Sequence, residues 1–331
     1  MTIRMSVKIF SVCVALSAAL PLAAQTCQTR DDIPAQTRAA IEAVALQTFD
    51  QSSRGDIAGL VTNSDDSLKA NFGGVAAAVT DNHDALSGAV PQVRVSFLLD
   101  TGDSPSADGQ YLCGAFSATG PTAGSAEFVL PGLKAGHYGI VIQDLTGSRG
   151  PLAFTTIFQE SGGWKLAGLY LRPTALNGHD GIWHMVRARE FKAKGQMHNA
   201  WFYYLTAMDL LAPVRFMDSK LISKISQEST ALQPKDVPAG GKTLTFTSGG
   251  KTWSVTDMSV LSSGNGYSLS IRYSTPAVTD VSATQAEARI LGTAYAAQNP
   301  ELKDAFDNVV VHAVDATGRD VPGVVALKSG K

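Results

Sequence analysis

The stretch GHYGIVIQDLTGSRGPLAFTTIFQESGGWKLAGLYLRP, residues 136–173, decides how this chain folds. Polarity alternates along it with period two, β-branched and aromatic residues are frequent, and Gly-Ser and Gly-Gly turns interrupt it. That pattern predicts three long antiparallel strands. In the last strand, one face of the pleat is expected to carry Trp164, Leu166 and Tyr170, and the other Ala167, Leu169 and Leu171. Because both faces are apolar, we expect helices to cover the sheet on both sides.

The composition favours a β-rich, turn-rich protein of more than one domain. The chain has 331 residues, of which 44% are hydrophobic, enough for substantial cores. Charged residues make up 17%, below the usual figure of about 25%, and there are 31 glycines. The formal net charge is −2 and no basic run occurs. Nucleic acid is therefore not an expected partner, because phosphate binding needs clustered Lys and Arg.

The first residues predict a secretory signal peptide spanning 1–24. Arg4 and Lys8 precede an apolar run over 9–22, and Ala23-Ala24 offers a cleavage site. The apolar run is shorter than the roughly 20 residues that span a bilayer. Cys27 also lacks a preceding lipobox-like run, which argues against a lipid anchor. We therefore expect export to the periplasm or the extracellular space, with no membrane span after cleavage.

Two cysteines remain after removal of the signal peptide, which contains Cys13. An even pair in an oxidising compartment indicates a disulfide between Cys27 and Cys113. The alternative is two unrelated buried thiols, and only the geometry of the fold decides between them.

Helical segments precede the central strands. An amphipathic helix is expected to start near Pro34 and end at Gly55, followed by a second helix with Asp56 as its N-cap. A third helical segment over 67–82 is weakened by its Gly-Gly pair. Shorter strands are expected over 93–100, 111–118 and 126–130.

An N-terminal helix ending in RGDIAGL, short helices after it, and antiparallel strands closing with GGWKLAGLYL resemble the nuclear transport factor 2-like superfamily, which includes SnoaL-like and ketosteroid isomerase-like proteins. The resemblance covers roughly residues 31–175. It implies a cone of curved sheet wrapped around a long helix, with a pocket inside, and a possible homodimer formed through the sheets. The whole chain, with its segment HDGIWHMVRAREFKAKGQMHNAWFYYLTAMDLLAPV, is also similar to a set of exported bacterial proteins without an established activity.

That segment is predicted to form two helices on either side of Gly195. Its small, aromatic and proline residues lie close to the pattern of a tetratricopeptide repeat: Ala188, Phe191, Gly195, Ala200, Tyr204, Ala207 and Pro213. No second copy of the period occurs, so we expect a single helical hairpin packed against a neighbour rather than a peptide-binding array.

A linker over 233–242, rich in proline and glycine, is predicted to end the helical region at about residue 232. After it, three strands, a helix and a final strand predict a small α+β domain over 243–331. The expected fold class is thus α+β. The expected divisions are a nuclear transport factor 2-like domain over 25–178, a helical region over 179–232, and the C-terminal domain.

Four polar residues within a short span invite a metal-binding interpretation: His179, Asp180, His184 and His198. His179 and His184 are five apart, which misses the four-residue spacing that places two ligands on one helix face. Capping by Asp180 and packing of the histidines are the favoured interpretation. No cofactor or metal is predicted.

Catalytic motifs are absent from the sequence. Ionisable residues near the central strands match no motif of the superfamily and are interpreted as strand ends or turns: His137, Asp144, Glu160, Asp81, His83 and Asp84. The aromatic residues Trp183, Trp201, Phe202, Tyr203 and Tyr204 are expected to belong mainly to a core. The alternative is an exposed patch that stacks a sugar or lipid ring, because three consecutive aromatics of a helix cannot all face inward.

Two functional hypotheses remain. The first is an exported, non-enzymatic binding or scaffold protein of the cell envelope, with an envelope protein or a small apolar ligand as its partner. The second is a small-molecule enzyme, of isomerase or hydrolase type, that uses the cone pocket. The candidate lining residues of that pocket are Phe154, Phe158, Trp164 and Tyr170. A cavity with an ionisable group among apolar walls would favour the enzyme, and a cavity filled by these rings would favour the scaffold.

Overall fold

A computed structural model describes residues 26–103, 107–117, 120–147, 150–238 and 240–328. The predicted signal peptide lies outside the described residues. The helices are α1 Ala35–Ser53, α2 Ile57–Asn63, α3 Asp66–Ala70, α4 Gly73–Asp81, α5 His83–Leu86, α6 Gly181–Ala193, α7 Met197–Leu211, α8 Lys220–Thr230, α9 Val281–Gln298 and α10 Leu302–Ala305. The strands are β1 Thr26–Thr29, β2 Val90–Asp100, β3 Gln110–Cys113, β4 Phe116–Ser117, β5 Gly120–Pro121, β6 Ala126–Val129, β7 His137–Thr146, β8 Leu152–Glu160, β9 Trp164–Pro173, β10 Ala175–Leu176, β11 His179–Asp180, β12 Met217–Ser219, β13 Leu244–Ser248, β14 Lys251–Ser263, β15 Gly266–Ser274, β16 Asn308–Val314 and β17 Asp320–Ala326. The predicted α+β class is confirmed.

The larger sheet has eight strands in the order β12-β6-β3-β1-β2-β7-β8-β9 and curls strongly. The rings of Phe97 on β2 and Phe128 on β6 meet with centroids 5.0 Å apart. Because β1 and β3 lie between these strands, the same residues would be about 14 Å apart in a flat sheet. The end of the sheet that holds β3 and β6 therefore folds over one face and encloses a core there, to which Tyr111, Tyr138 and Ile157 also belong.

The three long strands predicted over residues 136–173 are confirmed as β7, β8 and β9, paired antiparallel. The predicted faces of β9 are wrong in part. Phe158 pairs with Leu166 but Ile157 pairs with Gly168, so Ala167 has no partner and forms a β-bulge. A bulge shifts the alternation of side chains by one residue. Leu166, Leu169 and Leu171 consequently share the face that packs on the helices, while Tyr170 lies on the opposite face.

Helices α1 to α5 cover the face of the sheet opposite the folded-over strands. Ile41, Ala45 and Phe49 of α1 are buried against it in a core that also contains Phe154 and Phe158. The predicted cap is confirmed, since the Asp56 carboxylate accepts a hydrogen bond from the Gly59 amide at 2.9 Å. The third helical segment is two helices rather than one, because the chain breaks at Asn71–Phe72 and the glycine pair opens α4.

From α6 onward most apolar residues form one core, while Val214, Phe216 and Met217 pack on the larger sheet. Helices α6 and α7 join at Gly195, whose φ of 74° requires the left-handed conformation that glycine adopts most readily. A sheet in the order β13-β14-β15-β16-β17 packs on α9, and β15 and β16 are parallel because α9 connects them. Residues of α6, α7, α9 and this sheet belong to the same hydrophobic cluster.

The alternative of an exposed aromatic patch on α7 is wrong. Trp201, Phe202, Tyr203 and Tyr204 are all buried. They point in different directions, as expected, but α7 has a neighbour in each of those directions. Phe202 meets Phe306 after α10, Tyr203 meets Phe191 of α6, and the Tyr204 hydroxyl donates to Glu228 of α8.

Six strands were not predicted from the sequence: β1, β5, β10, β11, β12 and β17. Strand β12 lies within the region predicted as helical and pairs with β6, and β17 follows the strand that was predicted to be the last. Within the predicted linker, Val237 is buried in the C-terminal core. The predicted domain boundaries stay predictions.

Cys27 and Cys113 form a disulfide between neighbouring strands, with their Cα atoms 4.5 Å apart. Disulfides persist in oxidising compartments, which agrees with the predicted export. Among the helices of the described residues, none combines the length and the apolar character needed to cross a membrane.

Candidate functional site

A groove runs along the free edge of β9, which is the last strand of the larger sheet. Its volume is about 520 Å³, within the usual range for small-molecule sites. The floor is the strand itself, over 167–172. One wall comes from α3 and α4, and the other is the segment Val214–Phe216 that follows α7. The groove exists because a sheet edge, two short helices and a returning loop meet without filling the space between them.

Apolar groups dominate the walls of the groove. Leu68, Val75 and Ala78 contribute from the helices, and Val214 and Phe216 from the loop. Gly74 also lines the groove, and a Cβ atom added there would meet no atom within 4 Å. There is therefore free space beside the backbone at Gly74 on this side of the groove.

Tyr170 is the aromatic side chain on the groove floor, and it is 39% exposed. Its ring meets the Phe216 ring edge to face, with centroids 5.1 Å apart. The ring also lies over Gly168, where an added Cβ would come within 3.1 Å of it, so the glycine permits this position. Burial raises the pKa of the Tyr170 phenol, which therefore stays protonated at neutral pH and can donate a hydrogen bond.

Two arginines supply the charge of the groove. Arg172 of β9 forms an ion pair with Asp209 near the end of α7, and its Nη2 also donates to the Asp209 carbonyl at 3.1 Å. The Nε of Arg172 is buried and has no acceptor among the described residues. Arg215 is exposed, and no ion pair to it is formed within the described chain.

Two further cavities adjoin the groove at its ends. One of about 260 Å³ shares Leu68, Asn71 and Ala167 with it and is lined by Asp65 and Lys134 as well. The other, of about 730 Å³, shares Arg172 and Arg215 and extends toward α7 and β14. The two arginines thus lie at the junction between the groove and the larger cleft.

The structure separates the four predicted lining residues. Tyr170 lines the groove. Phe154 and Phe158 are fully buried in the core between the sheet and α1, where Phe154 meets Phe49 edge to face at 5.6 Å, and Trp164 is half-buried against the same core. The space that these rings occupy is thus filled, and the open space lies at the edge of β9.

The four residues considered for a metal serve packing and capping. Asp180 caps α6 by accepting from the Trp183 amide at 2.8 Å, as predicted, and His179 stacks on Trp183 with centroids 3.8 Å apart. His184 is buried among Trp183, Tyr203 and Tyr267, and burial lowers its pKa to about 4. In the described part of the chain, no group of three or more His, Cys, Asp or Glu side chains is placed to hold a metal ion.

His198 lies between two carboxylates that tie α7 to the C-terminal core. Its Nε2 is 2.8 Å from Asp236 Oδ1, and its Nδ1 is 2.9 Å from Glu301 Oε1. Burial alone lowers the pKa of His198, but the hydrogen bonds and charges of Asp236 and Glu301 outweigh it and raise that pKa. The arrangement is an ion cluster that joins three segments.

The ionisable residues near the central strands lie at or near the surface, and His137 and Glu160 are strand ends as predicted. Asp144 instead lies within β7, and the residues predicted in turns belong to helices, Asp81 to α4 and His83 and Asp84 to α5. His137 begins β7 and is 3.0 Å from Glu160 across the sheet, with both side chains about half exposed. Asp144 pairs with Arg94 of the neighbouring strand. These groups belong to neither the groove nor its adjoining cavities.

Sequence reasoning missed most of the groove. Phe216, Arg215 and Val214 fall in a short loop whose only signal is the proline before it, which ends α7. Gly74 and Val75 were interpreted as part of a weakened helix. A β-bulge has no reliable sequence signal, although the Ala-Gly pair at 167–168 is the kind of small-residue step where one occurs.

Comparisons of the chain with protein-family models, curated proteins and solved structures found no match. We therefore infer the function from the geometry of these residues.

Proposed function

We propose that this protein is an exported, non-enzymatic binding protein of the cell envelope that holds a small apolar ligand in the groove at the edge of β9. The single observation that carries the proposal is an unfilled groove of about 520 Å³ with apolar walls and an aromatic ring on its floor. Ligand sites in proteins combine such walls with a few polar groups that orient the ligand, and here Tyr170, Asn71 and the arginines can do so.

Binding is favoured over catalysis by the chemistry of the groove. An acid or base for an isomerase or hydrolase needs a pKa near the working pH. The ionisable groups that line the groove are Tyr170, Arg172 and Arg215. Burial moves the pKa of Tyr170 away from neutrality, and an arginine keeps its proton. Small-molecule enzyme function is the alternative, and turnover by the purified protein would support it.

We further propose that the remainder of the chain is a scaffold for this groove. The resemblance of residues 31–175 to the nuclear transport factor 2-like superfamily supports a ligand-holding role for the larger sheet. Five of the residues that resemble a tetratricopeptide repeat are buried in the helix pair, and this supports a packing role for a single hairpin: Ala188, Phe191, Ala200, Tyr204 and Ala207. The loop Val214–Phe216, which forms one wall, is held by the larger sheet: Val214 is buried in the core beside β6, and the Phe216 carbonyl accepts a hydrogen bond from the Val129 amide at 2.9 Å. Homodimer formation and an envelope partner stay predictions.

Glycine positions on α4 allow a test that leaves the core untouched. Gly74 lines the groove and Gly73 does not, while an added Cβ atom meets nothing within 4 Å at either position. Gly74→Leu should fill the groove, and Gly73→Leu is its matched control. We expect a neutral fluorophore, phenylnaphthylamine, to bind the mature protein, with affinity about tenfold lower for Gly74→Leu and unchanged for Gly73→Leu. Equal affinities in all three proteins would contradict the proposal.

A further inference from the structure

We propose that the ligand of the β9 groove is an amphipathic anion, a monomeric carboxylate with an unbranched apolar chain, whose head group binds at Arg215 and Arg172. This inference rests on the function proposed above and assigns the chemical class of the ligand. We infer this from the charges that surround the groove, from their pairing and from their positions along it.

The charge of the groove is positive. Among its described lining residues two are arginines and none is acidic. Arg172 is paired with Asp209, which leaves Arg215 as the uncompensated charge. A groove that combines apolar walls with one uncompensated arginine complements an apolar molecule with a single negative charge.

Arg172 adds an unmet hydrogen-bond donor. Its Nε is buried and lacks an acceptor in the described structure, although Nη2 is fully engaged with Asp209. A buried donor without an acceptor costs on the order of 1 to 3 kcal/mol, so proteins rarely leave one unpaired. Because Arg172 lines the groove, a small rotation of its guanidinium toward a carboxylate bound beside Arg215 would give Nε the missing acceptor.

The ends of the groove differ in charge, and this difference sets the orientation of the ligand. Arg172 and Arg215 lie at the junction with the larger cleft, and the opposite end continues into the cavity lined by Asp65 and Lys134, whose charges offset each other. A carboxylate is attracted to the first end and meets no net positive charge at the second. The apolar chain therefore extends from the arginines past Tyr170 toward Leu68 and Ala167. The larger cleft contains Asp209 and Asp257, which disfavours it as the site of the anion.

Decanoate and decanol test this assignment, since they share a chain and differ in the charge of the head. Each would be titrated against bound phenylnaphthylamine at pH 7, below its micellar concentration. We expect decanoate to displace the probe at about tenfold lower concentration than decanol, and the ratio to fall as salt is raised. Arg215→Gln should bring the ratio close to one, Arg215→Lys should restore part of it, and Lys194→Gln, an exposed charge outside the groove, should leave it unchanged.

The outcomes separate this inference from the proposed function. If the probe binds and Gly74→Leu weakens it, but decanoate and decanol compete equally, the ligand class is wrong while the binding function stands. If neither the probe nor decanoate binds, both are wrong. Phosphatidylglycerol vesicles distinguish a free amphiphile from a lipid surface: we expect no cosedimentation, and cosedimentation that Arg215→Gln abolishes, without decanoate competition, would overturn the assignment of a monomeric ligand.

Discussion

The first half of the chain, up to the end of β9, divides its apolar side chains between two cores on opposite faces of the larger sheet. In the second half, from α6 onward, most apolar side chains form one core around α7, while Val214, Phe216 and Met217 pack on the larger sheet. The first half ends at the edge strand β9 with a groove beside it, and it has a disulfide between two of its strands. In the second half, four consecutive aromatic residues of α7 are all buried. Aromatic composition alone therefore does not locate a site. An aromatic residue is available to a ligand only where its neighbours leave space, as they do at Tyr170 and do not at Tyr203.

Replacing an aromatic ring by alanine should give the largest difference in lost stability between the two halves. Phe202 is 1% exposed at the centre of the α7 core, whereas Phe216 is only partly buried beside the groove. We expect Phe202→Ala to lower the free energy of unfolding by about 3 to 5 kcal/mol. Phe216→Ala should cost about 1 kcal/mol, since the ring already borders open space. Urea denaturation measures both, and equal losses would show that the groove side is as tightly packed as the core.

Reduction of the disulfide should affect the first half selectively. The bond between Cys27 and Cys113 closes a sequence separation of 86 residues. On the chain-entropy model its loss costs on the order of 4 kcal/mol. Hydrogen exchange of the Cys27→Ser/Cys113→Ser protein should show lost protection in β1 and β3 and unchanged protection in β14 to β16. Loss spread evenly over both sheets would indicate that the halves unfold as one unit.

Acidification should destabilise the second half through His184. Its pKa is about 4 in the folded chain and about 6.5 when unfolded, so the unfolded state binds the proton first as the pH falls. The stabilisation that comes from neutral, buried His184 is therefore present above pH 6.5 and is lost as the pH falls toward 4. We expect a loss on the order of 1 to 2 kcal/mol between pH 7 and 5.

The variant His184→Phe provides the control, because it should remove the acid-induced loss of stability in that window. His198 contributes with the opposite sign. Its raised pKa stabilises the fold below pH 6.5, and this contribution is lost as the pH rises through the raised value. If His184→Phe loses as much stability on acidification as the wild type does, His184 is not the origin of the acid dependence.

Filling the groove should have the smallest effect on stability. Gly74→Leu adds a side chain where nothing lies within 4 Å, near the start of a helix. We expect its thermal unfolding midpoint to stay within about 2 °C of the wild-type value, because the change removes no packed group. Differential scanning calorimetry measures it, and a large drop would mean that the α4 wall belongs to the packed core rather than to an open groove.

Much of the fold follows from local sequence signals. The alternation over 136–173 specified β7, β8 and β9, and Asp56 and Asp180 were recognised as helix caps because their chemistry is local. Strand β12 was missed because three residues carry no detectable period, and it exists only through pairing with β6. The face of Tyr170 was wrong because a bulge at Ala167 depends on the partner strand. The groove depends on three segments distant in sequence, so no single pattern predicts it.

Photolabelling with a neutral, diazirine-bearing apolar compound tests the central claim most directly, because it reports where a ligand binds. We expect mass spectrometry to find the label on the groove residues Val75, Tyr170 and Phe216, and Gly74→Leu to remove it from them. The rival exposed apolar surface is the outer face of α9, at Ile290 and Ala294. Label concentrated on α9, or label unaffected by Gly74→Leu, would contradict the assignment of the groove as the binding site.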